Sequence, residues 1–142
     1  LEKKVFSEKI KLKKNQKIYF STISYNKFIF NKIESRNLND LKNSDFILLT
    51  GIADNKELLI YLTNFNFKLI EFTDHHDFTS ADIKKIKDSA NGKIILTTEK
   101  DYVRIVDKIN YDLLYYLPIE MKFLGNEGTL FNKEIEEYLK EN

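Results

Sequence analysis

From about residue 45 onward the chain alternates short apolar runs with amphipathic stretches, joined by turns only a few residues long. That alternation leaves few solutions: strand, helix, strand again, laid down as a parallel sheet with right-handed crossovers. Phe46-Ile47-Leu48-Leu49 is apolar without interruption, as in a strand covered on both faces. Gly51 breaks the run, and Asp54 with Glu57 three residues on predicts a capping box opening a helix. Leu58, Leu59, Leu62 and Phe65 form the apolar stripe of that helix. Phe67 to Phe72 reads as the second strand. Thr79 with Asp82 is another capping box, before a helix lined by Ile83, Ile86 and Ala90 and closed by Asn91-Gly92. Lys93 to Thr97 is a third strand. Thr98 with Asp101 caps a short helix carrying Tyr102, Val103 and Val106. Leu113 to Phe123 holds a fourth strand interrupted near Pro118, and residues 129–140 form a last helix with Phe131, Ile135, Tyr138 and Leu139 inward.

Residues 1 to about 31 read as extended. Ile18 to Tyr25 mixes β-branched and aromatic residues, and Asn26-Lys27 offers a turn before Phe28-Ile29-Phe30, a pattern that predicts a β-hairpin. The expected organisation is an extended arm over residues 1–44 followed by an α/β domain over 45–142, a small Rossmann-like parallel sheet with helices on both faces. Tyr19, Phe20, Tyr25, Phe28 and Phe30 read either as hairpin packing or as an apolar surface for a partner or a lipid.

Composition trims the functions open to such a fold. The chain has no cysteine, which excludes disulfides, zinc–thiolate sites and thiol catalysis. Its formal charge is +1, too balanced for a dedicated nucleic-acid binder. A local run of lysines (Lys3, Lys4, Lys9, Lys11, Lys13, Lys14, Lys17) reads as a solvated face or as a basic patch. No apolar run approaches the ~18 residues that span a bilayer, so the expectation is a soluble or membrane-peripheral piece. Gly51, Gly92, Gly125 and Gly128 are the four glycines, and neither GxxxxGK[ST] nor GxGxxG can be written with them. The chain opens on Leu1 and its one Met is Met121, which suggests part of a longer protein.

In parallel sheets, sites gather beyond the carboxyl ends of the strands. Three polar clusters fall at those ends. Asp74-His75-His76-Asp77 holds both histidines of the chain. A histidine titrates near neutrality, and an adjacent carboxylate fixes its tautomer and raises its basicity. The same four residues also read as a polar turn capping the next helix, or as candidate metal ligands. Thr97-Thr98-Glu99-Lys100-Asp101 places hydroxyls, a cation and two carboxylates at a helix start, a set suited to anions or simply to capping. Gly51-Ile52-Ala53 is a small-residue strand-to-helix turn where backbone can approach closely.

Taken in order, these segments resemble the C-terminal half of the tetraacyldisaccharide 4′-kinases. The resemblance rests on Thr50-Gly51-Ile52-Ala53, on Phe72 to Thr79, on Leu96 to Arg104 with its Thr-Thr-Glu-Lys-Asp core, and on Leu117-Pro118-Ile119-Glu120. It covers roughly residues 15–140. Asn55 stands where the family often has proline. The resemblance implies transfer of the ATP γ-phosphoryl group to the 4′-hydroxyl of a lipid A disaccharide 1-phosphate, at the cytoplasmic face of the Gram-negative inner membrane. It implies ATP and Mg²⁺ as cofactors, held by an N-terminal P-loop domain that this chain lacks, so that the piece alone is expected to be inactive. Family practice pairs an Asp of that half with a His of this one. His75 is the first choice, with Asp74 orienting it and His76 as the fallback. Gly51, Thr98, Glu99, Lys100 and Asp101 would border the cleft between the halves. The competing reading is a stand-alone doubly wound regulatory or interaction module.

Overall fold

The computed structural model describes Val5 and residues 9–141. Lys3 and Lys4 of the basic run lie outside the described residues. The chain divides into two compact units, one spanning Tyr25–Ile119 and the other joining the described residues up to Ser24 with those from Glu120.

The larger unit is built on a six-stranded sheet. Its strands are β2 (Phe28–Phe30), β3 (Ser35–Asn37), β4 (Phe46–Thr50), β5 (Phe67–Glu71), β6 (Ile95–Thr98) and β7 (Leu114–Leu117), in the order β3-β2-β7-β6-β4-β5. Strands β7, β6, β4 and β5 are parallel, while β2 and β3 add an antiparallel edge. Every residue of β4 is buried, as expected for a strand with neighbours on both sides and helices on both faces. Its side chains alternate between two cores. Phe46 and Leu48 join Leu58 of α1 (Lys56–Tyr61) and Leu62 at its C-cap, together with Leu38 and Leu41 of a 3-10 segment (Leu38–Asn43). Ile47 and Leu49 join Ile86 of α2 (Ser80–Ala90) and Tyr102 and Ile105 of α3 (Glu99–Ile105). Truncating a residue such as Leu48 or Leu49 to alanine costs about 2–5 kcal/mol at sites of this kind.

The expected α/β alternation with helices on both faces is therefore what the chain folds into. From β4 the chain runs outward to β5 along one face, and from β6 it runs the other way to β7 along the opposite face. The crevice between the carboxyl ends of β4 and β6 is thus the switch point of the sheet, the usual ligand position in doubly wound folds.

Several local expectations differ from the structure. β2 does not pair with β1 (Ser21–Tyr25); its hairpin partner is β3, with Ile29 opposite Arg36, and its other neighbour is β7. β2 and β3 thereby belong to the sheet of the α/β unit, so the compact unit starts at Tyr25 rather than near residue 45. Pro118, which has no N–H to donate, separates two strands of different sheets: β7 stays in the large one, and β8 (Ile119–Phe123) pairs with β1. The Asp54–Glu57 box does not form. Asp54 accepts a hydrogen bond from the Lys56 backbone at 3.0 Å, and the N-cap of α1 is Asn55, whose side chain is committed elsewhere. The Thr79–Asp82 box is present, and Asn91 closes α2 in the left-handed conformation.

The smaller unit holds the β1–β8 ribbon and α4 (Glu127–Glu141). Tyr19 packs edge-on against Phe123 and Phe131 at 6.3 and 5.3 Å, and Lys17 pairs with Glu134. Of the apolar stripe of α4, Phe131 packs inward on Tyr19 and Phe123, whereas Ile135, Tyr138 and Leu139 are exposed. Val103 on α3 is likewise exposed.

Candidate functional site

The loop after β5 and the turn after β6 meet at the carboxyl edge of the sheet. Asp101, on the first turn of α3, is completely buried. Its Oδ2 accepts the Gly51 backbone N–H at 2.8 Å and the Thr98 hydroxyl at 2.9 Å, and its Oδ1 lies 3.4 Å from Arg104 Nη1. Thr98 in turn caps α3 by accepting the Asp101 N–H at 3.1 Å. The crevice at the switch point is therefore filled by a side chain of the protein itself. A Cβ added to Gly51 would sit 3.0 Å from Asp101 Oδ1, which is why the turn after β4 needs glycine.

Asn55 shows what the residue in the family's proline position does here. Its Nδ2 donates to Thr50 Oγ1 at 3.1 Å and to Glu71 Oε1 at 2.8 Å, tying the ends of β4 and β5 together.

The two histidines have different surroundings. His76 is half-buried. Its ring stacks on Phe72 at 4.5 Å and meets Phe78 edge-on at 5.3 Å. Its Nε2 lies 3.0 Å from Asp82 Oδ2, the carboxylate that also accepts the Thr79 backbone and hydroxyl. Those hydrogen bonds, led by the Thr79 hydroxyl, pull the Asp82 carboxyl down to about 2. His75 instead stands outward. Its backbone is in the left-handed region, φ 59°, and its side chain is 78% exposed with Nε2 3.4 Å from Asp74 Oδ2. Asp74 accepts Lys100 Nζ at 2.7 Å through its other oxygen, and this bond holds its carboxyl below the ordinary aspartate value. Glu99 is exposed beside Lys100 on the first turn of α3.

Of the residues singled out in the sequence, His75, Asp74 and Lys100 come together on the surface. Gly51, Thr98 and Asp101 form a second, largely interior group. His76 belongs to the packing around α2. Sequence reasoning assigned no part to Arg104 or Lys108. Arg104 Nη2 donates to the His76 carbonyl, and its guanidinium lies over Phe78 at 5.7 Å. Lys108 donates to Asp77 Oδ1 at 2.6 Å and to the Phe78 carbonyl at 3.2 Å. The four-residue spacing of Lys100, Arg104 and Lys108 was the available signal, since such positions share one helix face.

Among the described residues, no three His, Asp or Glu side chains converge as a metal site. None of the helices described is long and apolar enough to cross a membrane.

Fold and loop cluster define a doubly wound α/β unit whose polar groups collect where the winding reverses. The chain belongs to the tetraacyldisaccharide-1-P 4′-kinase family, whose model matches residues 2–140. It is 42% identical over 134 residues to the tetraacyldisaccharide 4′-kinase of Flavobacterium johnsoniae, covering 94% of this chain and 39% of that one. It is 34% identical over 157 residues to the enzyme of the same name from Phocaeicola vulgatus, covering 100% of this chain and 43% of the relative. The chain thus spans about two-fifths of the length of these curated relatives. Among solved structures it resembles LpxK from Aquifex aeolicus, crystallised with ATP, with a TM-score of 0.55 and 22% identity over 86% of this chain and 37% of that one. That likeness supports the fold.

Proposed function

We propose that this chain forms one side of the active site of a kinase that transfers the ATP γ-phosphoryl group to the 4′-hydroxyl of a tetraacyldisaccharide 1-phosphate. Family membership and coverage of only two-fifths of the relatives' length support a two-part site. Neither glycine-rich phosphate loop pattern can be written with the four glycines of this sequence. Nucleotide and metal are assigned to the remaining part of the full-length protein. A lipid substrate would bring that protein to the cytoplasmic face of the inner membrane.

The observation that carries the reading is the contrast between His75 and His76. His76 is stacked and hydrogen-bonded inside the loop, whereas His75 is presented to solvent with a carboxylate beside it. In the transfer, the 4′-oxygen bonds to the γ-phosphorus, the bond to the β–γ bridging oxygen breaks, and ADP leaves with that electron pair. The hydroxyl proton needs an acceptor, and a neutral imidazole oriented by a carboxylate is suited to the task. With Nε2–H turned toward Asp74, Nδ1 of His75 is free to accept. Asp74, fixed by Lys100, keeps the ring in that tautomer and stabilises the imidazolium that results. Glu99 and Lys100 would stand at the rim of the same cleft.

The test is a comparison of His75→Ala and His76→Ala in the full-length protein. His75→Ala should lower kcat by about 10²- to 10⁴-fold, the range for loss of a general base, with little change in KM for ATP. Undiminished turnover in His75→Ala would overturn the role of this residue.

A further inference from the structure

Three cations one helical turn apart reach from α3 and the turn after it onto the histidine loop. Lys100 holds the Asp74 side chain at 2.7 Å, Arg104 holds the His76 carbonyl, and Lys108 holds both the Asp77 side chain and the Phe78 carbonyl. His75 lies between the first and second of these holds, and it is the residue of the loop with positive φ. A residue other than glycine adopts that conformation only at an energetic cost, so the flanking contacts must impose it. The middle cation differs from the other two. Lys100 and Lys108 are half-exposed and grip exposed carboxylates, contacts worth little individually. The Arg104 side chain is mostly buried, lies over the Phe78 ring, and reaches the buried Asp101 as well as the His76 carbonyl. Asp101 in turn holds the Gly51 N–H. One guanidinium therefore links the loop to the ends of both β4 and β6.

We propose that Arg104 is the positioning residue of this site: it sets the left-handed conformation that presents His75, with Lys100 and Lys108 as outer holds. This rests on the kinase reading only for its effect on turnover; the effect on the loop stands by itself. A lysine at position 104 could not replace it, because a single ammonium lacks the planar fork that spans two acceptors.

The experiment uses the full-length protein with Arg104→Ala, Arg104→Lys and His75→Ala. Hydrogen exchange is followed in the loop peptide, where the His76 N–H donates to the Thr73 carbonyl at 3.1 Å. Both Arg104 variants should speed exchange there by about tenfold or more while α2 and β4 keep their protection. Their kcat should fall by a similar factor at nearly constant KM for ATP, and added guanidinium ion should partly restore Arg104→Ala. Unchanged loop exchange in Arg104→Ala would overturn the proposal, as would exchange accelerated throughout the protein in both variants. If loop exchange rises but His75→Ala turns over normally, the catalytic role of His75 fails and the positioning role of Arg104 stands.

Discussion

The Gly51 backbone N–H donates to Asp101 Oδ2 at 2.8 Å, so the ends of two neighbouring parallel strands are joined through a carboxylate sealed from water. An ionised group so placed is tolerated only when its lone pairs are satisfied, and here Gly51, Thr98 and Arg104 satisfy them. Replacing it with asparagine keeps the shape but puts an amide N–H₂ where a donor already points, or leaves Thr98 or Arg104 unmatched. Asp101→Asn should cost about 1–3 kcal/mol, the penalty for an unsatisfied buried group, measured by urea denaturation with unchanged slope.

Gly51→Ala probes the same contact from the other side. The new methyl would lie 3.0 Å from Asp101 Oδ1, and the Thr73 carbonyl is also near. Overpacking of this kind costs about 1–3 kcal/mol. The Asp101→Ala/Gly51→Ala double variant should lose less than the sum of the singles, a non-additivity that a thermodynamic cycle reads directly.

The histidines should separate stability from turnover. His76→Ala removes a ring stacked on Phe72 and edge-on to Phe78, and its bond to Asp82, at an expected cost of about 1–3 kcal/mol. His75→Gly relieves a positive φ and should leave stability within about 1 kcal/mol while abolishing most turnover of the full-length protein. Thermal denaturation of both variants checks the first claim, and a kinase assay the second.

Acid should act through Asp82. Its carboxyl is depressed to about 2 from 3.8, so the stability it contributes is complete above about pH 4 and is lost as pH falls toward 2. Thr79→Ala removes the largest cause of that depression. The stability gap between Thr79→Ala and the parent should be constant from pH 5 to 7 and shrink between about pH 4 and 2. A gap that persists at pH 2 would assign the cap's value to geometry rather than to charge.

What the sequence made legible were features coded within a few residues. The buried strand Phe46–Thr50, the capping box at Thr79, the N-cap at Thr98 and the left-handed stop at Asn91 each follow from local spacing and side-chain type. Strand pairing did not. Asn26-Lys27 is a reasonable hairpin turn, but β2 satisfies its edge with β3 and with β7, and nothing near residue 28 encodes Tyr116 as the partner of Phe30. The stripe of Ile135, Tyr138 and Leu139 has helical period, yet period does not say what the stripe faces. At the site, Asp74 and His75 were legible because they are adjacent. The buried links of Asp101 and Arg104 cross from one strand end to another, and only the folded sheet brings them together.

The placement of β2 against β7 has a consequence for folding. The β2–β3 hairpin precedes the rest of the sheet along the chain, while its other edge is covered only by β7, the last strand of the large sheet. β6, paired with β4 on one side, likewise meets β7 on the other. Closure of the sheet therefore depends on β7, the last of its strands along the chain, fitting between β2 and β6, and the β2–β7 pairing spans the longest stretch of chain in the sheet. Until β7 is in place both edges are unpaired, and short strands of three and four residues limit the template they offer to other chains.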